Sequence, residues 1–207
     1  MIAQIETAII NHIRLASQAP ALGYRLACVE SYAGELDDDF AQAVRRFPAV
    51  WVAFKNSDES KPYGASKYKW AVDCTFAVLT GARNPQDPSA ARAGTVREPG
   101  VYQISEHVQQ MLLMQDFGLA ISPMQPMGAQ LRINTRLGNE PVAVIVQEWR
   151  TRYILQAPIG SDGVAGAINP AENWPIAQPP DWLRANLNYS LNPPSGKTNA
   201  TDTITLK

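Results

Sequence analysis

Residues 67–83, KYKWAVDCTFAVLTGAR, alternate between large apolar and polar side chains over most of their length. Tyr68, Trp70, Val72, Cys74, Phe76 and Val78 share one parity, opposed by Lys67, Lys69, Asp73 and Thr75. Successive side chains of a strand point to opposite faces, so the pattern predicts a long strand with one core face and one wet face. Just before it, AVWVAFKN (49–56) is apolar on both parities, which predicts a strand buried on both sides. Only a polar stretch, NSDESKPYGAS (56–66), lies between the two. Neighbouring strands without a helix between them argue against a parallel, doubly wound sheet, which needs regular strand–helix alternation.

The other segments fit around this pair. Ile2, Ile5, Ile9, Ile13 and Ala16 recur at helical steps, and Pro20 and Gly23 close that helix. YRLACVESYAG (24–34) reads as a strand with Tyr24, Leu26 and Cys28 on one parity. ELDDDFAQAVRRF (35–47) reads as a short helix ended by Pro48, its acids first and its arginines last, as the helix dipole favours. Residues 82–99, with Pro85, Pro88 and Gly94, are expected to form a polar loop. A second long helix starts near Gly100, with Val101, Ile104, Val108, Met111, Leu112 and Gln115 as its core stripe and Gly118 at its end. Pro123 and Pro126 bracket a connector, and MGAQLRINTRL (127–137) and PVAVIVQEWRTRYILQA (141–157) form two strands around Gly138-Asn139. The order α-β-α-β-β-α-β-β gives an α+β fold: an antiparallel or mixed sheet with helices packed on one face.

The texture changes at Pro158. Prolines at 158, 170, 175, 179, 180, 193 and 194 exclude long helices and central strands from the remainder. We therefore expect a domain over 1–157 and an irregular C-terminal extension over 158–207. Trp174, Trp182, Leu183, Leu187, Tyr189 and Leu191 are costly to leave in water, so the extension reads as an interaction arm, or as a cover folded back on its own domain. Within it, DWLRANL (181–187) suits a short helix, and TDTITLK (201–207) alternates as an edge-adding strand would.

Chemistry-bearing patterns are sparse. The net charge is -1 and charged residues make up 18% of the chain, so electrostatics single out neither nucleic acid nor an acidic partner. No signal peptide and no run of about 18 apolar residues occurs, so cytoplasmic synthesis without membrane contact is expected. Cys28 and Cys74 lie far apart, outside any zinc spacing, and read as small buried apolar residues. Asp37, Asp38 and Asp39 invite a Mg²⁺ reading and, through Asp37 and Asp39, a metal-dependent hydrolase. Acids in a first helical turn are already accounted for by its unpaired N–H groups, and we assign no metal. His12 and His107 have no triad partner at a recognisable spacing and read as solvated or capped, and no phosphate-binding glycine loop is present. No catalytic residue and no cofactor is expected. Arg132 and Arg136 share a parity on one strand of the hairpin, as do Arg150 and Arg152 on the other. If they lined up, they would form a basic ladder with Glu148, either a solvated face or a contact surface for a neighbouring subunit or passing nucleic acid. With Trp174, Trp182 and Tyr189 they are the candidate partner-contact residues.

Several words of the sequence are distinctive in their order: IAQIETAIINHIR, LGYRL, VESYAGELDDDF and VRRFPAVWVAF. Together they resemble the tail-terminator (tail-completion) family of Mu-like phages and prophages. The likeness continues more loosely through KWAVDCTFAVLTGAR, GVYQI and the terminal hairpin, covering roughly residues 1–157. The resemblance implies a structural, non-enzymatic virion protein that caps the tail tube as a ring, usually six-fold, stops its growth and meets a head-side connector. Its implied partners are further copies of itself, the tail tube protein and the connector protein, with genomic DNA passing through the lumen. SYAGELDDDF and RRFPAV are then expected to shape the fold and the ring contacts. A different head–tail connector, a hydrolase, and a host-directed or nucleic-acid-binding regulator are the alternatives.

Overall fold

The computed structural model describes residues 1–34, 36, 40–65, 68–83, 92–94, 99–137, 140–158, 184–189 and 200–205. The chain divides into two compact units, Met1–Gln156 and Ala157–Lys207.

The first unit is built on one six-stranded mixed sheet. Its strands are β1 (Cys28–Ser31), β2 (Ala49–Ser57), the two-residue β3 (Lys61–Pro62), β4 (Lys69–Arg83), β5 (Gln125–Leu137) and β6 (Glu140–Gln156). The order across the sheet is β1-β2-β4-β6-β5, with β3 joined to β4. Only β1 and β2 run parallel; β4 pairs antiparallel with β6 along its whole length, from Lys69↔Gln156 to Arg83↔Val142. Two long helices, α1 (Ile2–Ala16) and α3 (Val101–Leu112), and the short α2 (Phe40–Arg45) complete the α+β fold.

The long helices cover one face of the sheet, as their stripes predict. Ile5, Ile9 and Ile13 of α1 and Val101, Ile104, Val108 and Leu112 of α3 share a core with Val50, Val52, Cys74, Phe76, Val78, Ile145 and Trp149. Ile10 joins it too, which widens the expected stripe of α1. The helix α3 ends at Leu112, six residues before Gly118, because the chain leaves it through left-handed Met114 and Phe117. Paired backbone hydrogen bonds between Met114 and Met124 and between Met124 and Gln115 pin that loop.

The opposite face departs from the expectation of a wet surface behind β4. Ala49, Trp51, Leu79, Val142 and Val144 form a second core there, capped by Ala43 and Val44 of α2 and by Phe47. The polar alternation of β4 stops at Thr75, and Ala77, Leu79 and Gly81 continue that face as small or apolar residues. Gly81 is the contact point: a Cβ there would lie 2.4 Å from Cε1 and Cζ of Phe47. The strand expected over 24–34 also shortens to four residues. Gly23 is left-handed (φ 78°), Tyr24 and Leu26 pack on the helix-covered core, and Cys28 enters the second core, so the three do not share a face.

Two loops are partly strand. Strand β2 runs on to Ser57 with an irregularity between Phe54 and Asn56, Lys61–Pro62 pairs with β4, and β4 continues to Arg83. Residues 84–91 and 95–98 of the second loop, and Asp37–Asp39, lie outside the described residues. The β5–β6 hairpin forms as expected, closing at the pair Leu137↔Glu140.

In the second unit, β7 (Arg184–Tyr189) and β8 (Ala200–Thr205) pair antiparallel, from Arg184↔Thr205 to Tyr189↔Ala200. TDTIT is strand, as its alternation suggests, but RANL is strand as well and not the end of a short helix. Pairing with β8 overrides the weak helical preference of that stretch.

The Phe47–Gly81 contact makes a direct test. Gly81→Ala should cost about 1–3 kcal/mol by overpacking. In a Phe47→Ala background the same change should cost much less, read from urea midpoints of the four proteins. Additive effects would show that the ring does not set the packing there.

Candidate functional site

The polar end of the second sheet face carries a row of paired charged side chains. Even-numbered residues of β6 face that side, and past Val146 they become Glu148, Arg150 and Arg152. Each meets an opposite charge brought by another strand. Lys55, at the irregularity in β2, reaches Glu148 (2.5 Å); Asp58, after β2, accepts from Arg150 (2.9 Å). Asp73, directly across from Arg152 in the register, accepts from its Nε and Nη2 (2.8 and 2.9 Å). That hydrogen-bonded guanidinium holds the Asp73 carboxyl below the usual carboxylate range, with Arg150 and Lys61 adding to the effect, against a smaller opposing contribution from burial. The Asp73 side chain is 15% exposed and that of Arg152 48%, so water screens the pair from one side only.

This geometry corrects the expected ladder. Gln125, not an arginine, stands opposite Arg150. Arg132 sits in the irregularity between Leu131↔Ile145 and Ile133↔Val144, and Arg136 pairs with Pro141 near the turn. Arg150 is five residues beyond Ile145, roughly 17 Å along the strand. The four arginines therefore fall into two separate pairs, and Arg150 and Arg152 are tied to carboxylates of their own domain. Arg132 is exposed and lines a shallow hollow with Met127, Gly128, Gln130, Val146 and Glu148. Tyr189 lies on β7, opposite Ala200; Trp174 and Trp182 lie outside the described residues.

The remaining candidates have structural partners. His12 Nε2 donates to the Met111 carbonyl (2.9 Å) while its ring meets Phe117 edge-on. His107 stacks on Tyr24 and shares a 3.0 Å hydrogen bond with its hydroxyl, whose pKa burial pushes up to about 12. Both contacts fasten α3, one to α1 and one to the segment after it. Cys28 and Cys74 are buried thiols outside any disulfide, and burial together with the Asp73 charge lifts the Cys74 thiol to about 11. Among the described residues no three His, Cys, Asp or Glu side chains converge as a metal-binding group.

One network has no counterpart in the sequence reading. Gln147, buried between Ile145 and Trp149 on the core parity, donates to the Ser105 carbonyl (2.7 Å) and hydroxyl (2.5 Å) on α3. Trp149 Nε1 donates in turn to Gln147 Oε1 (3.2 Å). A glutamine on the buried parity of an apolar strand was the available signal, since such a group must find partners.

A family model described as Bacteriophage Mu, Gp37 matches residues 1–154. The chain belongs to this family. No curated protein matches it. The Gp37 match runs from α1 almost to the end of β6, so it takes in both cores and the ion pairs of Glu148, Arg150 and Arg152, and the second unit lies beyond it. Membership makes this a Mu-like phage protein and supports a structural role. No helix among the described residues is long and apolar enough to cross a membrane.

The Asp73–Arg152 pair sets a pH signature. Because the folded-state pKa of Asp73 is depressed, its contribution is full above the ordinary Asp value of about 3.9 and fades as pH falls through the lower folded value. Arg152→Gln should lose about 0.5–1 kcal/mol at neutral pH, as expected for a partly exposed pair. That deficit should shrink to nothing in strongly acidic buffer, read from denaturant midpoints across pH. A deficit constant with pH would place the effect of Arg152 in packing.

Proposed function

We propose that the protein is a structural virion component that caps the phage tail tube as a ring, ends tube polymerisation and joins the tail to the head-side connector. The observation that carries this reading is the Gp37 family match over residues 1–154, joined to the ordered likeness of IAQIETAIINHIR, VESYAGELDDDF and VRRFPAVWVAF to Mu-type tail terminators. In this reading the protein is not an enzyme. It assembles in the host cytoplasm and takes its place at the neck-proximal end of the tail. Copies of the chain close a ring, six-fold by the resemblance, around a lumen through which the genome passes. The tail tube protein lies on one side and the connector protein on the other. A closed ring is made by heterologous contacts, one patch of each subunit against a different patch of the next. The second unit, carrying Trp174, Trp182 and Tyr189, is the arm that makes such contacts, and Arg132 and Arg136 add charge near the hairpin turn.

Deleting the gene tests the role. Heads and tail tubes should form but remain unjoined, and tube lengths in electron micrographs should scatter widely. Tubes of normal, uniform length would overturn the terminator reading, and unjoined heads beside them would point to a neck connector.

A further inference from the structure

Strand β5 is an outermost strand of the first sheet and has no partner on its outer side among the described residues. It is thirteen residues long, and all eight residues from Gln125 to Arg132 are exposed. Long open edges template further pairing, and proteins blunt them with prolines, bulges and charges. Here the blunting is partial. Irregularities fall at Pro126/Gly128 and Leu131/Ile133, but the run Gly128–Leu131 between them keeps a regular register with β6 and carries no charge. Met127 and Leu131, 49% and 42% exposed, add apolar surface beside it.

The second unit has the complementary need. Strands β7 and β8 have six residues each and, among the described residues, form a sheet of two strands only. A lone two-stranded hairpin is marginally stable at best in water and gains from a third strand. Of its two strands, β8 is the better fit to β5. Its sequence ATDTIT is rich in β-branched residues and its one charge is the acid Asp202, whereas the charges of β5 are the bases Arg132 and Arg136. Pairing of β8 from one copy with β5 of another would bring the acid Asp202 of one molecule to the strand that carries Arg132 and Arg136 in the next.

We infer that the outer edge of β5 is a docking site for strand β8 of a second copy of this chain, which extends the six-stranded sheet across the contact by strand addition. Such a contact is heterologous, so it propagates from subunit to subunit, as a ring requires. It stands on the two open strand edges and does not depend on where in the virion the protein acts.

Two full-length variants, Leu131→Cys carrying an affinity tag and Ile204→Cys without one, are mixed and treated with a short bis-maleimide, which tolerates a register offset. Buried Cys28 and Cys74 serve as internal controls for non-specific reaction. Mixed 131–204 dimers, identified by mass spectrometry, should exceed either homodimer several-fold, and Asp202→Lys in the second chain should lower their yield several-fold. The pair Met127→Cys and Ala200→Cys, which keeps Asp202, repeats the experiment if either first variant fails to fold. Overturning results are a statistical mixture of dimers, no cross-link with either pair, or a Leu131→Cys/Ile204→Cys double variant that cross-links within one chain at high dilution. Cross-linking by a protein whose loss leaves tail length uniform would keep the docking site and remove the tail-cap reading. The converse result would do the opposite.

Discussion

Strand β4 is paired along one edge with β6, along the other with β2 and β3, and is covered over most of its length on both faces. A strand so enclosed exposes no backbone to water in its middle, so its neighbours must supply every ladder bond and its two faces must each find a cover. The long helices supply one cover, and the segment from α2 to Phe47 supplies the other. The side chains follow suit: Phe76 and Val78 fill the first core, Leu79 the second, Gly81 makes room for Phe47, and Thr80 Oγ1 donates to the Ile145 carbonyl (3.3 Å). Truncating a large member of these layers, such as Trp149 or Phe76, would cost about 3–5 kcal/mol, a large part of the stability of an ordinary domain.

Where the enclosure ends, charge takes over. Toward the start of β4 and the end of β6 no helix among the described residues covers the second face, and that is where Lys55–Glu148, Asp58–Arg150 and Asp73–Arg152 sit. Partly exposed pairs of this kind contribute little stability each, but they hold the ends of β2, β4 and β6 in one alignment while leaving the surface wet. The buried polar contacts do a different job. Gln147 with Ser105, and His12 with Met111, fix α3 against the sheet and against α1, and each would be expensive to leave unpaired.

Strong periodicity made the main elements legible. The apolar stripes of α1 and α3, the two-sided apolar run of β2, the length of β4 and the β5–β6 hairpin all follow from residue spacing alone. Weaker signals misled where a partner distant in sequence decided the outcome. The helix expected over 35–47 carries no strong apolar stripe to show which face it covers, so the second core behind Leu79 and Gly81 was hidden. The irregularities in β5 displaced Arg132 from any simple pairing count, and Asp58 and Asp73, which hold Arg150 and Arg152, come from elements more than seventy residues earlier. Residues 184–187 became strand through pairing with β8. The candidate residues themselves were readable as types; their arrangement was set by tertiary register.

A protein of this design offers rigidity and surfaces, and its family places it in a Mu-like phage. In the proposed role those surfaces close the head-proximal end of the tail tube. Electron microscopy of virions labelled on this chain measures that position directly. Label density is expected as a ring at the top of the tail, against the last layer of tube subunits. Density nearer the portal, or virions without label, would contradict it.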